Sequence, residues 1–474
     1  MEVDHIPENT NNNKIIFYNN FKLKSLRKYF TILMLMCFYI LTNSQTIQSF
    51  SFYADKCSGL KIGTAVGGQF YSEYDKNSIY DKTIKDNFNM LVAENEMKYD
   101  AMEPQKGVFN FSKPDILVNF ALKYGKQVRG HTLCWHSQLP SWLTAGLTNG
   151  TNNGTYTRAT LLAILKNHIT TIVTRYRGKV QQWDVVNEPF SDSNGALRNS
   201  IWQQVIGNDY IDSAFVWAHK ADPEAKLYLN EYGSEMYGTT KGNAMYNFVT
   251  AMKNRGIPIN GVGLQCHFTV SKIDFTKLDQ NIKRYAIAGL EVAITELDIR
   301  IAITDYTADA SKMLTAQAVD YLKMIRLCLN NPNTKTFVTW GFTDKYSWIP
   351  SFTASTGNGP ASDYSLLFNT LYLAKPAYTS ILNELAAVSA SSAVNGVSNG
   401  NELKLKVTDK NIQVESELEI NICTIHDMQG RIIYISYPKN HIFQFSIPNF
   451  KHGYYILSAE TTNGLKMSRK ISYL

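Results

Sequence analysis

The sequence predicts an α/β fold, a (β/α)8 barrel followed by a small all-β module, and three observations carry that expectation. Between about residues 57 and 387, short runs rich in Val, Ile and Leu alternate with longer segments of helical period. Two of those runs end on a glutamate, Glu188 and Glu296, where a carboxylate is costly to desolvate and contributes nothing to packing. Past Leu385 the helical period gives way to a small-residue stretch and then to short alternating strands.

The elements follow in order. Residues 1–21 form a polar, Asn-rich leader read as disordered. In residues 22–45, Lys22, Lys24, Arg27 and Lys28 precede an apolar stretch from Tyr29 to Leu41 and then small polar residues, the three-part pattern of a secretory signal peptide. That stretch is too short to span a bilayer. The barrel is expected over 46–387, with strands at 60–66, 88–93, 127–134, 180–186, 226–230, 261–266, 291–295 and 336–341. Helices fill the gaps: at 159–176, Leu161, Leu165, Ile169 and Ile172 recur at helical spacing, and a second clear case is 316–329. Residues 388–401 read as a linker, and 402–474 as a β-sandwich-like domain with strands at 420–426, 431–437, 442–447, 453–459 and 465–471.

Composition excludes several classes. The chain has 474 residues and a net charge of +7, spread without a Lys/Arg cluster of the kind that tracks nucleic acid. Past the leader, the scattered cysteines Cys57, Cys134, Cys266, Cys328 and Cys423 make no disulfide framework. His131, His136 and His267 match no zinc spacing, so no metal and no cofactor are expected. Aromatic residues make up 12 %, which supplies flat surfaces for stacking on sugars.

The chemistry rests on the two glutamates. Cleaving a glycosidic bond needs one carboxylic acid to protonate the departing oxygen and one carboxylate to attack or stabilise the anomeric carbon. The ends of strands four and seven lie across a barrel mouth from each other, which suits Glu188 and Glu296 to these tasks. Asn187 and His267, also at strand ends, can orient a hydroxyl or the nucleophile.

Five stretches carry a family resemblance: 89–99 (NMLVAENEMKY), 130–142 (GHTLCWHSQLPSW), 183–188 (WDVVNE), 263–267 (GLQCH) and 294–299 (ITELDI). In this order, over roughly residues 55–385, the chain resembles glycoside hydrolase family 10 endo-β-1,4-xylanases. The resemblance implies a retaining double displacement with Glu188 as acid/base and Glu296 as nucleophile. It maps glycone subsites onto Glu94, Asn95, Lys98, His131, Trp135 and Gln138, and completes the cleft with Gln265, Trp340 and Trp348. It also implies that His267 partners Glu296, with Asp298 bonded behind it. The substrate would be xylan or xylo-oligosaccharide, handled by a single chain without a partner subunit.

The chain also departs from the family pattern. Tyr99 stands where a Trp is usual, and the stretch 229–233 (LNEYG), which holds Tyr232, replaces a more usual Asn-Asp-Tyr-Asn; both touch the surroundings of the site and the aglycone side. Residues 350–363 read as a loop that caps the glycone end or merely connects. In the tail, 426–431 (HDMQGR), 453–457 (GYYIL) and the closing Lys470-Ile471 resemble the C-terminal sorting domain of bacterial type IX secretion, which implies an export-machinery partner and a secreted or cell-surface location. A carbohydrate-binding module is the alternative for the tail. For the barrel, the alternatives are a xylan-binding protein without catalysis and a related β-1,4-glucanase.

Overall fold

The computed structural model describes residues 49–474 apart from 58, 357–363, 396–403, 408–410, 428–431, 447–452, 463–465 and 474. The leader and signal-peptide readings at 1–45 lie outside the described residues, among which no helix is long and apolar enough to cross a membrane.

Eight parallel strands close into a barrel: β1 (Lys61–Val66), β2 (Met90–Ala93), β3 (Gln127–Cys134), β4 (Gln182–Asn187), β5 (Lys226–Glu231), β6 (Gly261–Leu264), β7 (Glu291–Arg300) and β8 (Thr334–Thr339). Neighbours in sequence are neighbours in the sheet, and β8 pairs with both β7 and β1 to complete the ring. The expected (β/α)8 barrel is therefore the observed fold. Strands buried on both faces, such as the Met-Leu-Val-Ala of β2, form because helices cover the outside while side chains fill the lumen. Gly130 on β3 shows how tight that filling is, since a Cβ there would meet the Trp183 ring at 2.1 Å.

The strand–helix connections follow from local sequence. The helix Arg158–Arg175 starts at a reciprocal capping box between Thr157 and Thr160. It buries Leu161, Leu165, Ile169 and Ile172 against the barrel, each contributing about 1.5–3 kcal/mol by burial. The same helix buries His168, which meets Glu103 at 2.8 Å and stacks on Tyr99 at 3.5 Å. Tyr99 thus fills the place of the more usual Trp as part of an aromatic stack that continues to Trp202.

Several expected boundaries shift. β7 runs past residue 295 to Arg300, because Asp298–Arg300 pair with a short strand, His267–Thr269. The last barrel helix, Pro376–Asn395, extends into the stretch read as linker. Pro376 suits the first helical position, the Ala-rich sequence beyond it favours the helix, and Leu385 and Ser389 are buried. The stretch read as a loop after Trp348 begins as a helix, Ile349–Thr356. Four cysteines of the barrel and Cys423 of the tail are all buried and unpaired.

Among the described residues of the tail there are six antiparallel strands: β9 (Lys404–Val407), β10 (Asn411–His426), β11 (Ile432–Ser436), β12 (Asn440–Ser446), β13 (Gly453–Thr461) and β14 (Lys466–Tyr473). β9 and the first half of β10 fell outside the expected strands. Long β10 is the spine. Its first half pairs with β9 and β12 and its second half with β11 and β13, with register shifts between the halves. Ile412, Val414, Ile420, Cys423, Ile425, Leu457 and Ile471 belong to the buried cluster of this module.

Candidate active site

The C-terminal ends of the strands surround a cleft of about 760 Å³. Glu188 and Glu296 both line it, together with Glu94, Asn95, Lys98, His131, Trp135, Gln138, Asn187, Tyr232, Gln265, His267, Asp298, Trp340 and Trp348. Every residue that the sequence reading singled out for the site is thus brought to one cavity.

Glu188 stands one residue past β4 with φ +53°. The left-handed region costs a non-glycine residue about 1–3 kcal/mol, so its neighbours must hold it there. Its N–H donates to the Asn230 carbonyl at 2.8 Å, and its own carbonyl accepts from Arg198 Nε at 3.2 Å. The carboxylate then faces two donors, Trp135 Nε1 to Oε2 at 2.9 Å and Gln265 Nε2 to Oε1 at 3.0 Å. Beside it, burial and the Arg198 charge push the His136 imidazole down to about 4, which leaves it neutral.

Glu296 sits within β7 and is nearly buried. Asn230 Nδ2 donates to its Oε1 at 2.7 Å, and His267 Nε2 lies 3.3 Å from Oε2. Burial alone would raise this carboxyl. The His267 hydrogen bond and the charges of His131 and His267 outweigh burial and hold it below the usual carboxylate range. For His267, burial favours the neutral ring, but the charge and hydrogen bond of Asp298, 2.9 Å from Nδ1, and those of Glu296 raise it well above the ordinary value. Asp298 also accepts from Trp348 Nε1 at 2.9 Å, which ties one aromatic wall to the same network.

Three amide side chains link the two carboxylates. Asn230 Nδ2 donates to Asn187 Oδ1 at 2.8 Å as well as to Glu296, and Gln265 Nε2 lies 3.4 Å from that same Asn187 oxygen and 3.0 Å from Glu188. Glu188, Gln265, Asn187, Asn230 and Glu296 therefore form a continuous polar chain across the cleft floor. The sequence reading did not count Asn230 among the site residues, although a polar residue closing the Leu227–Leu229 run is the same signal that marked Asn187.

Across the mouth, Lys98 Nζ donates to Asn95 Oδ1 at 3.0 Å, and Gln138 Nε2 reaches that oxygen at 3.4 Å. Burial lowers the Lys98 ammonium, opposed by the charges of Glu296, Glu94 and Glu188, and burial raises the Glu94 carboxyl, opposed by Lys98. His131 is oriented by Asp184, 3.1 Å from Nδ1, which is itself gripped by the Arg129 guanidinium. Its ring meets Trp340 edge-on at 5.2 Å. Tyr232 donates to Asp192 at 2.7 Å beneath the Lys241 ammonium. Glu235, Phe268, Arg300 and Phe352 also line the cleft and were not singled out from sequence. Among the described residues, no group of three or more His, Cys, Asp or Glu side chains is arranged to hold a metal ion.

Comparison with known proteins agrees with this geometry. Residues 52–384 match Glycosyl hydrolase family 10. Endo-1,4-beta-xylanase B of Thermotoga neapolitana is 38% identical over 322 residues, spanning 68% of this chain and 87% of that protein. The crystal structure of native xylanase 10B from Thermotoga maritima superposes with a TM-score of 0.66 at 36% identity, covering 72% of this chain and 99% of that one. Xylanase 10B from Thermotoga petrophila RKU-1, solved in complex with xylobiose, superposes with the same TM-score of 0.66 at 36% identity, over 72% of this chain and 98% of that one. Eight parallel strands, two glutamates joined across one cleft through Gln265, Asn187 and Asn230, and these matches lead to one conclusion: the chain belongs to glycosyl hydrolase family 10.

Proposed function

We propose that the protein is a retaining endo-1,4-β-xylanase. The observation that carries this reading is the polar chain joining Glu188 to Glu296 across an open, aromatic-walled cleft. The similarity to endo-1,4-beta-xylanase B of Thermotoga neapolitana, to the Thermotoga petrophila xylanase 10B solved with xylobiose and to a further structure solved with xylotriose supports xylan as the substrate.

In this reading, Glu296 attacks the anomeric carbon while Glu188 hands its proton to the departing glycosidic oxygen. The bond to that oxygen breaks and a glycosyl ester to Glu296 forms. Glu188, now ionised, takes a proton from water, whose oxygen displaces the ester and regenerates both groups. The His267–Asp298 pair keeps Glu296 ionised for attack, and Asn230 fixes its other oxygen. Glu94, Asn95, Lys98 and Gln138 hold the glycone sugars, with Trp135, Trp340 and Trp348 as stacking walls.

For the ends of the chain, we propose a cleaved leader at 22–45 and a C-terminal sorting function for 402–474, together delivering the enzyme outside the cell. The supporting features are the basic–apolar–polar leader pattern and the tail motifs. Cell fractionation of a strain lacking 402–474 tests this. The truncated enzyme is expected to stay inside the envelope, and unchanged surface delivery would overturn the sorting role.

Proton NMR of early products from xylohexaose tests the reaction. The β-anomer should appear first, and a first-formed α-anomer would overturn the retaining assignment. Turnover of cellulose in preference to xylan would instead favour a β-1,4-glucanase. Glu296→Gln and Glu188→Gln should each lower kcat by several orders of magnitude, and full activity in either would point to a barrel whose cleft carboxylates only bind.

A further inference from the structure

Lys241 places a cation where it is costly. It is the second residue of the helix Thr240–Asn254, at the end where the helix dipole repels an ammonium, and it is only 7 % exposed, so water does little to offset its desolvation. A buried ion pair seldom adds stability over a well-packed apolar pair. What its geometry does for the fold is a separate matter.

That geometry is a bridge between two strand ends. Lys241 Nζ lies 2.9 Å from Oε1 of Glu231, the last residue of β5, and 2.8 Å from Oδ1 of Asp192, on the loop that leaves β4 through Glu188. Glu231 is wholly buried. Its Oε2 accepts from the Phe190 N–H at 3.0 Å, and Oε1 accepts from the Tyr232 N–H at 3.0 Å as well as from Lys241. Burial pushes this carboxyl up to about 8 against the Lys241 charge. Both oxygens nevertheless meet only N–H donors, an arrangement that satisfies the ionised group and would leave a bound proton without an acceptor. Glu188, Phe190 and Asp192 are alternate residues of one loop, and each is tied to the β5 side: the first through the Asn230 carbonyl, the second through Glu231 and the third through Lys241.

We infer that Glu231 and Lys241 together are a positioning device for Glu188. The pair fixes the loop, and the loop fixes the carboxyl that hands its proton to the departing oxygen. Neither residue lines the cleft, so both act through Glu188 and not on the substrate. The inference rests on the retaining reading above, in which Glu188 is the acid/base.

The test uses the full chain carrying Lys241→Met, Glu231→Gln or both. For each protein, kcat/KM is measured on xylohexaose and on an aryl xylobioside whose phenol is acidic enough to depart without a proton. The ratio of the two within one protein cancels any general loss of folded enzyme. Xylohexaose should suffer by about a hundredfold, the scale of a 1 Å displacement of a reacting group, while the aryl substrate changes little. The double variant should lose no more than the worse single one, because the pair acts as a unit. Azide attacks the anomeric carbon of the glycosyl ester without help from a base: its nitrogen bonds to that carbon as the ester C–O bond breaks, and the Glu296 carboxylate is released. It should therefore speed turnover of the aryl substrate in the variants and release xylobiosyl azide. A ratio unchanged from wild type in Lys241→Met and Glu231→Gln would overturn the inference while leaving the xylanase reading intact. An unchanged ratio in Glu188→Gln as well would overturn the role of Glu188 itself.

Discussion

Arg198 grips the main-chain carbonyl of Glu188 at 3.2 Å, on a residue whose φ is +53°. The same guanidinium reaches the Phe190 carbonyl at 2.9 Å and the Tyr232 hydroxyl at 3.2 Å. A side chain thus holds the Glu188 segment in a backbone conformation that it would otherwise leave. Arg198→Ala should lower kcat on xylan by about a hundredfold, the scale of a 1 Å displacement of a reacting group. Aryl xylobiosides with highly acidic phenol leaving groups need little protonation, so they should lose far less. An equal loss on both substrates would mean that Arg198 acts only on general folding.

The His267–Glu296 pair sets an acid limit. Glu296 is held below its ordinary range, so its contribution to stability is present above that range and fades as pH falls through the lowered value. His267 is raised, so its contribution is full on the acid side of 6.5 and fades as pH climbs through the raised value. Removing the cation with His267→Asn should let Glu296 rise, move the acidic limb of kcat/KM to higher pH and cut activity at pH 5 roughly tenfold. An unmoved acidic limb would show that His267 does not govern Glu296.

Gly263 on β6 leaves the space that Asn230 occupies. A Cβ there would lie 2.1 Å from Asn230 Oδ1 and 2.9 Å from Thr295 Cγ2. Gly263→Ala should therefore cost about 1–3 kcal/mol by overpacking and break the bridge from Asn187 to Glu296. Adding Asn230→Ser should return stability while activity stays low. Recovery of both by the double variant would show that Asn230 does not serve the carboxylates.

Much of this was legible in sequence, for reasons that individual residues make plain. β3 was readable to its ends because Gln127 follows a glycine turn and Cys134 closes an almost wholly buried strand. β7 was cut short because Glu296, Asp298 and Arg300 break its apolar run, and only the structure shows that Leu297 and Ile299 keep the other face buried. The strand-end glutamates stood out because charge at a buried position is rare. Asn230 did not, since an amide reads equally as a cap or a turn. The helix to Asn395 was hidden because Ala and Ser are as common in linkers as in helices.

That helix sets where the chain can be divided. Val388 packs against the barrel core and Ser389 is buried, whereas the relatives of known structure are covered over 98–99% of their own length by the barrel match. Ending the protein after Asn395 should leave turnover of soluble xylan intact, while ending it after residue 387 should lower Tm by several degrees. Loss of turnover in the longer form would mean that the tail supports the cleft.

The buried, unpaired cysteines have a consequence for where this protein can work. Cys134 and Cys266 are wholly enclosed, and burial drives both thiols far above the range in which thiolates form. Thiolate is the species that oxidants and disulfides attack. Once folded, the barrel should therefore be indifferent to reducing or oxidising surroundings. Dithiothreitol should leave its melting temperature unmoved, and a thiol-reactive dye should label these two cysteines only after denaturation.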